Sequence, residues 1–297
     1  MLYLGLDFGT GNSVLGTRGG GRTQVLRLIA NAESIPSDIL VGDQGEIDPD
    51  PTHLLNPPQG FRRITSIKRR LLGLSADNGP ERARLMDLAV ARLKYLYDAF
   101  AQRNPEPVVK AVLTCPANTG QAYRDLLLEI GRRVGLLQVS IVDEPTAAAV
   151  HHGLGEVAQQ DERWLVVDWG CGTCDVSLIE RKAGSRDLQV RCVHGDNSLG
   201  GLDMDARLRQ YLAERYQFSP DAIPLWEVEE LKKQLSDQDV SHATWTLPDG
   251  RPLTVRLTRE ELDRVVVPLL AQAQDLIRQA LQDMFVNRKV THLIAEK

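Results

Sequence analysis

Two copies of one short pattern constrain this chain more than any other feature of its sequence. In each copy an apolar run leads to an aspartate, a glycine-rich turn follows, and a second apolar run begins; residues 2–17 read LYLGLDFGTGNSVLGT and residues 164–180 read WLVVDWGCGTCDVSLIE. The aligned positions, 161 residues apart, are Asp7 with Asp168, Gly9 with Gly170, and Gly11 with Gly172. Each copy predicts a strand, a tight turn and a strand. A duplicated unit at half-chain spacing predicts two similar lobes with facing turns.

The residues of the two turns are typical of a nucleotide site. Glycines let the backbone approach a ligand closely, and successive N–H groups in such a turn form a concave site for an anion. Two carboxylates beside a phosphate would repel it unless a divalent cation lay between them, so the second copy indicates a magnesium–nucleotide site. Either copy alone also fits an ordinary β-hairpin with a glycine-rich turn. The pair favours a nucleotide held from both sides.

Composition and charge exclude several other classes of protein. The 297 residues are 42% hydrophobic and 25% charged, and this length predicts about two domains. A net charge of −5 gives no indication of a nucleic-acid surface. No run approaches the roughly 18 apolar residues of a membrane span, and no secretory signal is visible at the N-terminus. Four cysteines without a spaced framework indicate a reducing cytoplasm.

The remaining sequence alternates between helical and strand-like patterns. Helices are expected over residues 81–103, 120–134, 203–216 and 225–235. Strands are expected at residues 25–28, 39–41, 108–115, 139–142, 188–194, 243–247, 252–257 and 290–295. Thr258 and Glu261 have the spacing of a capping box for a long final helix, which Pro268 is expected to kink or interrupt.

Three further segments are candidates for chemistry, and two of them also have a plain structural interpretation. Lys68 belongs to a basic cluster that also fits a solvated helix face. Glu144 lies where a strand end meets a helix start, a common place for a site in α/β folds, but it also fits a helix-capping carboxylate. Backbone N–H groups at Gly200 and Gly201, where the chain enters a helix, would suit a phosphate.

Six motifs, in order along the chain, together resemble the nucleotide-binding domain of DnaK-type heat-shock chaperones, within the actin and sugar-kinase superfamily. They are LGLDFGTGNSV, SIKRRLLG, IVDEPTAAAV, VVDWGCGTCDVSLIE, GDNSLGGLDMDARL and EELKKQLS. The resemblance covers nearly the whole chain. It implies an α/β, actin-like ATPase fold with two ribonuclease-H-like lobes around a central nucleotide cleft. We expect lobe I over residues 1–160, with an inserted subdomain at about 34–104, and lobe II over 161–297, with an insert at about 203–280.

The resemblance also implies a role for each matching residue. Asp7 and Asp168 would hold Mg²⁺, largely through its waters. The implied phosphate-binding residues are Gly9, Thr10, Gly11, Asn12, Gly170, Gly172, Gly200 and Gly201, and the implied ribose and adenine contacts are Glu229, Lys232, Lys233 and Ser236. Lys68 would face the γ-phosphate, and Glu144 and Asp175, with Thr173 close by, would orient water or assist proton transfer.

Three features depart from the family pattern. Cys171 stands where the family has glycine, and with Cys174 it forms a C-x-x-C that could instead bind metal or form a redox disulfide. His151 and His152 could suggest a metal, but adjacent residues point apart on a helix, so surface histidines are expected. The family continues past the final strand with a Gly-Gly motif of the adenine pocket and a peptide-binding domain. We therefore expect a C-terminally truncated module with weaker ATP binding and no client-peptide site.

The leading interpretation is a slow, Mg²⁺-dependent ATPase of the chaperone type, with ATP, ADP and Mg²⁺ as cofactors and a nucleotide-exchange factor or J-domain co-chaperone as its protein partner. A catalytically weak or inactive scaffold is the alternative, and a sugar kinase of the same superfamily is a third. Retention of Asp7, Lys68, Glu144, Asp168 and Asp175 favours the enzyme.

Overall fold

A computed structural model of the chain describes residues 2–74, 79–154, 157–285 and 292–296. Its strands are β1 Leu2–Phe8, β2 Asn12–Gly19, β3 Arg22–Val25, β4 Ser34–Pro36, β5 Ile39–Gly42, β6 Ile47–Asp48, β7 Phe61–Ile64, β8 Val108–Cys115, β9 Val139–Asp143, β10 Glu162–Trp169, β11 Cys174–Arg181, β12 Gln189–Asp196, β13 Val240–Thr246, β14 Pro252–Thr258 and β15 His292–Glu296. Its α-helices are α1 Ile67–Gly73, α2 Gly79–Ala101, α3 Gln121–Val134, α4 Glu144–Ala149, α5 Gly201–Tyr216, α6 Leu225–Gln234 and α7 Arg259–Phe285.

The two copies of the sequence pattern form corresponding hairpins in two sheets. In the first sheet the strand order is β3-β2-β1-β8-β9, with β4 also pairing with β2; in the second it is β12-β11-β10-β15. Strand β1 is antiparallel to β2 and parallel to β8, and β10 is parallel to β15. Each sheet therefore places its repeat hairpin beside one parallel strand. Together with the helices, this arrangement confirms the predicted α/β class.

The described residues within 1–170, 177–193 and 289–297 form one compact unit. Strand β1 alternates in it as a half-buried strand should, with Leu4, Leu6 and Phe8 buried. The helices α2 and α3 add leucines at helical spacing to the same hydrophobic cluster. Arg92 on α2 is also fully buried, and its guanidinium donates to backbone carbonyls of Pro49 and Asp38.

The described residues within 171–176 and 194–288 form the other compact unit. Its core joins α5 and α6 to the two-stranded sheet β13–β14, with Leu212 and Trp245 among the buried side chains. The predicted capping box of α7 is confirmed: Glu261 N donates to Thr258 Oγ1 at 3.2 Å and Thr258 N to Glu261 Oε2 at 2.9 Å. Helix α7 continues through Pro268, so the predicted interruption is wrong, while the alternative that Pro268 kinks the helix stays a prediction.

Most predicted elements agree with the structure to within a few residues. The strand predicted at residues 25–28 is wrong: β3 runs from Arg22 to Val25, because Gly20 and Gly21, both with positive φ, turn the chain directly back onto β2. The start of the strand predicted at 290–295 lies outside the described residues.

Among the helices that the structure describes, none has the length and apolar character needed to cross a membrane.

Candidate functional site

Four of the predicted site residues lie at element ends within the first compact unit. Asp7 is the penultimate residue of β1, and Asp168 is the penultimate residue of β10. Glu144 begins α4 directly after β9, and Lys68 lies in the first turn of α1. Carboxyl ends of strands and the starts of the following helices are where α/β folds bind ligands.

Lys68 and Glu144 form a buried ion pair. The Lys68 Nζ atom lies 2.6 Å from Glu144 Oε1, and the two side chains are only 7% and 15% exposed. The residues are far apart in the sequence, so the fold, and not local helix geometry, brings them together. The plain interpretation of Lys68 as part of a solvated helix face is therefore wrong. Its neighbour Arg70 fits that description, since it forms an exposed pair with Glu81 at 3.0 Å.

The electrostatics of this pair depend on the surrounding carboxylates. Burial by itself lowers the pKa of Lys68, but the carboxylates of Glu144 and Asp7 outweigh it and hold that pKa above its ordinary value. Burial raises the pKa of Glu144; the Lys68 ammonium opposes this shift, while Asp7 and Asp168 add to it. Lys68 thus holds its proton more tightly than an exposed lysine, and Glu144 is a more basic carboxylate than an exposed glutamate.

Three residues that the sequence patterns did not single out complete the surroundings of this pair. Thr114 Oγ1 donates to Asp7 Oδ1 at 2.6 Å, and Arg124 is paired with Asp143 at 2.5 Å, next to Glu144. The Tyr123 hydroxyl is buried and makes no hydrogen bond within the described part of the chain. Only the parallel register of β1 and β8 could have revealed Thr114. Leu6 pairs with Leu113 in that register, and Asp7 and Thr114 each follow one residue later.

The turn after β1 requires glycine at its first position. Gly9 N donates to Asn12 O at 3.0 Å, and a Cβ at Gly9 would lie 2.3 Å from that oxygen. Thr10 is buried, and Gly11 O accepts a bond from Ser37 N at 2.8 Å. These contacts fix a compact turn between Asp7 and β2.

The second compact unit brings two other predicted phosphate segments together. Leu202 N donates to Cys171 O at 2.8 Å, and a Cβ at Gly200 would lie 2.4 Å from the same oxygen. The turn containing Gly172 and Thr173 therefore touches the turn of Gly200 and Gly201, backbone against backbone. Asp175, the second residue of β11, is buried.

The predicted nucleotide contacts on α6 differ in their surroundings. Lys232 Nζ lies 2.6 Å from Asp205 Oδ1 and 3.4 Å from Gly201 O, and is thus held at the glycine turn. Lys233 is exposed and lies 3.0 Å from carboxylate oxygens of both Glu229 and Glu230. Ser236 follows the helix and is exposed.

The alternative chemistry of the cysteines and histidines gains no support. Cys171 and Cys174 form no disulfide in this structure, and Cys174 is fully buried at the start of β11. Within residues 2–74, 79–154, 157–285 and 292–296, neither belongs to a cluster of three potential metal ligands. His151 and His152 are exposed, as expected for surface histidines.

Comparisons of the sequence with known proteins show the family of this chain. The sequence model of the family described as "Hsp70 protein" matches residues 83–294, which is more than half of the chain. This chain belongs to the Hsp70 family. The α/β architecture with its repeated hairpin is accordingly the Hsp70 version of the actin-like ATPase fold.

Curated Hsp70 relatives extend the similarity to the N-terminal residues. The chaperone protein DnaK of Metamycoplasma hominis is 30% identical over 310 residues, covering 97% of this chain and 50% of the relative. DnaK of Thermotoga petrophila is 33% identical, with 94% and 50% coverage, and DnaK of Nitrosopumilus maritimus is 27% identical, with 94% and 47% coverage. The chain spans about half the length of these relatives. Hsp70 membership and the fold support a chaperone nucleotide-binding module.

Proposed function

We propose that this chain binds Mg²⁺–ATP and hydrolyses it slowly, as the nucleotide-binding module of a DnaK-type chaperone. The buried Lys68–Glu144 pair carries this proposal. A buried ion pair is costly to build and gives little stability, so a pair of this kind beside Asp7 and Asp168 is better explained by chemistry than by folding. The resemblance of the six motifs to the nucleotide-binding domain of DnaK-type chaperones favours ATP as the nucleotide.

The residues present fit a magnesium–phosphate group. Added Cβ atoms at Gly9 and Gly200 would overlap backbone oxygen atoms, so both tight turns require glycine, and successive backbone N–H groups in glycine turns of this kind can bind an anion. The carboxylates of Asp7 and Asp168 are the oxygen ligands that Mg²⁺ prefers, directly or through its waters. When bound, Mg²⁺ would neutralise phosphate charge that the two aspartates would otherwise repel.

Lys68 and Glu144 would perform the chemistry at the γ-phosphate. Water attacks the terminal phosphorus, the bond from that phosphorus to the β-phosphate oxygen breaks, and the water proton must leave. The Lys68 ammonium would stabilise negative charge on the transferring group. Glu144, whose pKa is raised by burial, would orient the water and accept its proton. Positioning and charge stabilisation suffice for slow hydrolysis.

The remaining predicted contacts belong to the same proposal. Phosphate would be bound by Thr10, Gly11, Asn12, Gly170, Gly172, Gly200 and Gly201. Thr173 and Asp175 would assist Glu144, and Glu229, Lys232, Lys233 and Ser236 would contact ribose and adenine. Two lobes, over residues 1–160 and 161–297, would hold the nucleotide between them. A nucleotide-exchange factor or a J-domain co-chaperone would be the protein partner.

Phosphate release from ATP tests this proposal. The purified 297-residue chain should release phosphate in Mg²⁺ with no sugar added, and EDTA should abolish the release. Formation of ADP and a sugar phosphate only when a sugar is added, without release of free phosphate, would instead indicate a kinase. Tight ATP binding without any release would indicate the non-catalytic scaffold.

A further inference from the structure

A continuous set of contacts in the second compact unit joins the two glycine turns to helix α6. A Cβ atom at Gly200 would lie 2.4 Å from Cys171 O, so only the hydrogen of a glycine fits there. In addition, Leu202 N donates to Cys171 O at 2.8 Å. Gly201 O lies 3.4 Å from Lys232 Nζ on α6. Lys232 is thus a side chain through which α6 contacts the glycine turn.

Asp205 fixes the position of the Lys232 ammonium. It lies one turn into α5, is only 2% exposed, and its Oδ1 atom lies 2.6 Å from Lys232 Nζ. A lysine ammonium is a compact charge on a flexible four-carbon stem, so a second anchor is needed to hold it in one place. Asp205 is that anchor, and it belongs to the helix that begins at the glycine turn.

The neighbouring lysine shows that this arrangement is specific. Lys233 pairs with Glu229 and Glu230 on its own helix, and its side chain is 56% exposed, as in an ordinary surface pair worth about 1 kcal/mol or less. Asp205, by contrast, gives up nearly all of its hydration, and burial raises its pKa to about 6 although the Lys232 ammonium acts in the opposite direction. The free-energy cost of burying the Asp205 carboxylate is expected where the position of the paired Lys232 ammonium must be fixed.

We propose that Asp205 is a positioning residue, which holds the Lys232 ammonium against the Gly200–Gly201 turn so that this turn and α6 bind the nucleotide as one body. The inference rests on the proposed nucleotide binding. It assigns to Asp205 an effect on nucleotide affinity that acts through Lys232. It assigns to Asp205 no part in the hydrolysis step, which the proposed function gives to Lys68 and Glu144.

A double-mutant cycle on nucleotide binding tests this inference. The probe is Mg²⁺–ADP, titrated calorimetrically into the full chain and into the variants Asp205→Asn, Lys232→Gln and the double variant. Each single variant should bind roughly tenfold more weakly, the loss expected for one misplaced charged hydrogen bond. The double variant should bind about as weakly as Lys232→Gln alone, because Asp205 acts through Lys232. With ATP as the substrate, the KM of Asp205→Asn should be higher than that of the unmodified chain, while its kcat should stay within about twofold.

Two controls separate positioning from stability. Leu212→Ala removes a fully buried side chain from the same helix, so it should lower the melting temperature without changing Mg²⁺–ADP affinity. Asp205→Glu, which keeps the charge, should recover part of the affinity lost in Asp205→Asn. Unchanged binding by Asp205→Asn, or additive losses in the double variant, would overturn the inference while leaving the proposed function intact. Failure of the unmodified chain to bind Mg²⁺–ADP would overturn both.

Discussion

The Lys68–Glu144 pair places two opposite charges where water has little access, and each changes what the other can do. The Lys68 ammonium favours the ionised form of Glu144, while burial raises the pKa of Glu144 and makes it a better proton acceptor than an exposed glutamate. An exposed pair such as Arg70–Glu81 has neither property, because solvent screens both of its charges.

The pH dependence of turnover should report on Glu144. The ionised carboxylate is the proton acceptor, and its pKa is raised, so kcat should fall as the pH is lowered through a value above the usual 4.3 or so of glutamate. Glu144→Gln should lower kcat by about 10² or more and remove this acidic limb. Single-turnover hydrolysis by both proteins, measured between pH 5 and 8, would show the fall in rate at low pH and its loss in Glu144→Gln. Persistence of the same limb in Glu144→Gln would assign it to another group.

Thr114 should matter for the metal more than for the nucleotide. Its hydroxyl donates to Asp7 Oδ1 at 2.6 Å and thereby orients a proposed Mg²⁺-binding carboxylate. Thr114→Val should raise the Mg²⁺ concentration needed for half-maximal phosphate release by about tenfold. Thr244→Val, at an exposed hydroxyl pair on β13, is the matched control and should change nothing. An unchanged Mg²⁺ requirement in Thr114→Val would contradict the proposal that Thr114 orients Asp7 for metal binding.

The sequence motifs single out the charged residues of the candidate site, but not the residues that surround them. Lys68 and Glu144 stand in recognisable segments, whereas Thr114, Tyr123 and Arg124 occupy ordinary strand and helix positions. Nothing in their local sequence distinguishes them from core or surface residues. Their proximity depends on the packing of β1, β8 and α3, which a single sequence does not specify.

At the scale of elements, periodicity predicted the long helices and the repeat hairpins well. Helix α2 begins and ends two residues before its predicted limits, and β8 has the predicted limits. Errors arose where backbone conformation decides the outcome. The Gly20–Gly21 turn shifted β3 towards the N-terminus, and α7 tolerated Pro268. Tertiary packing can compensate for the hydrogen bond that a proline removes from a helix.

Two adjacent glycines offer a matched test of the turn before α5. A Cβ at Gly200 would lie 2.4 Å from Cys171 O, whereas a Cβ at Gly201 would meet nothing closer than 3.6 Å. Gly200→Ala should therefore cost about 1–3 kcal/mol of unfolding free energy and weaken Mg²⁺–ADP binding, because the two turns must separate. Gly201→Ala should stay within about 0.5 kcal/mol. Urea unfolding and calorimetry of both variants measure this; equal effects would contradict the contact between the turns.

At the scale of the whole molecule, the two compact units carry different parts of the proposed site. The first contains Asp7, Lys68, Glu144 and Asp168, and the second contains Asp175, the Gly200–Gly201 turn and α6. Strands β1 and β10, which carry the two copies of the repeated pattern, both lie in the first unit. The two lobes predicted from the repeat, over residues 1–160 and 161–297, stay a prediction.

A single-turnover experiment tests the central claim most directly. The chain and its Lys68→Ala variant are loaded with radiolabelled ATP, bound nucleotide is quantified, and Mg²⁺ is added to start hydrolysis. Both proteins should bind ATP, but Lys68→Ala should convert it to ADP at least about a hundredfold more slowly, since it lacks the cation that stabilises the transferring phosphate. Arg70→Ala, on the same helix, should behave like the unmodified chain. Conversion by Lys68→Ala at the unmodified rate would contradict the account.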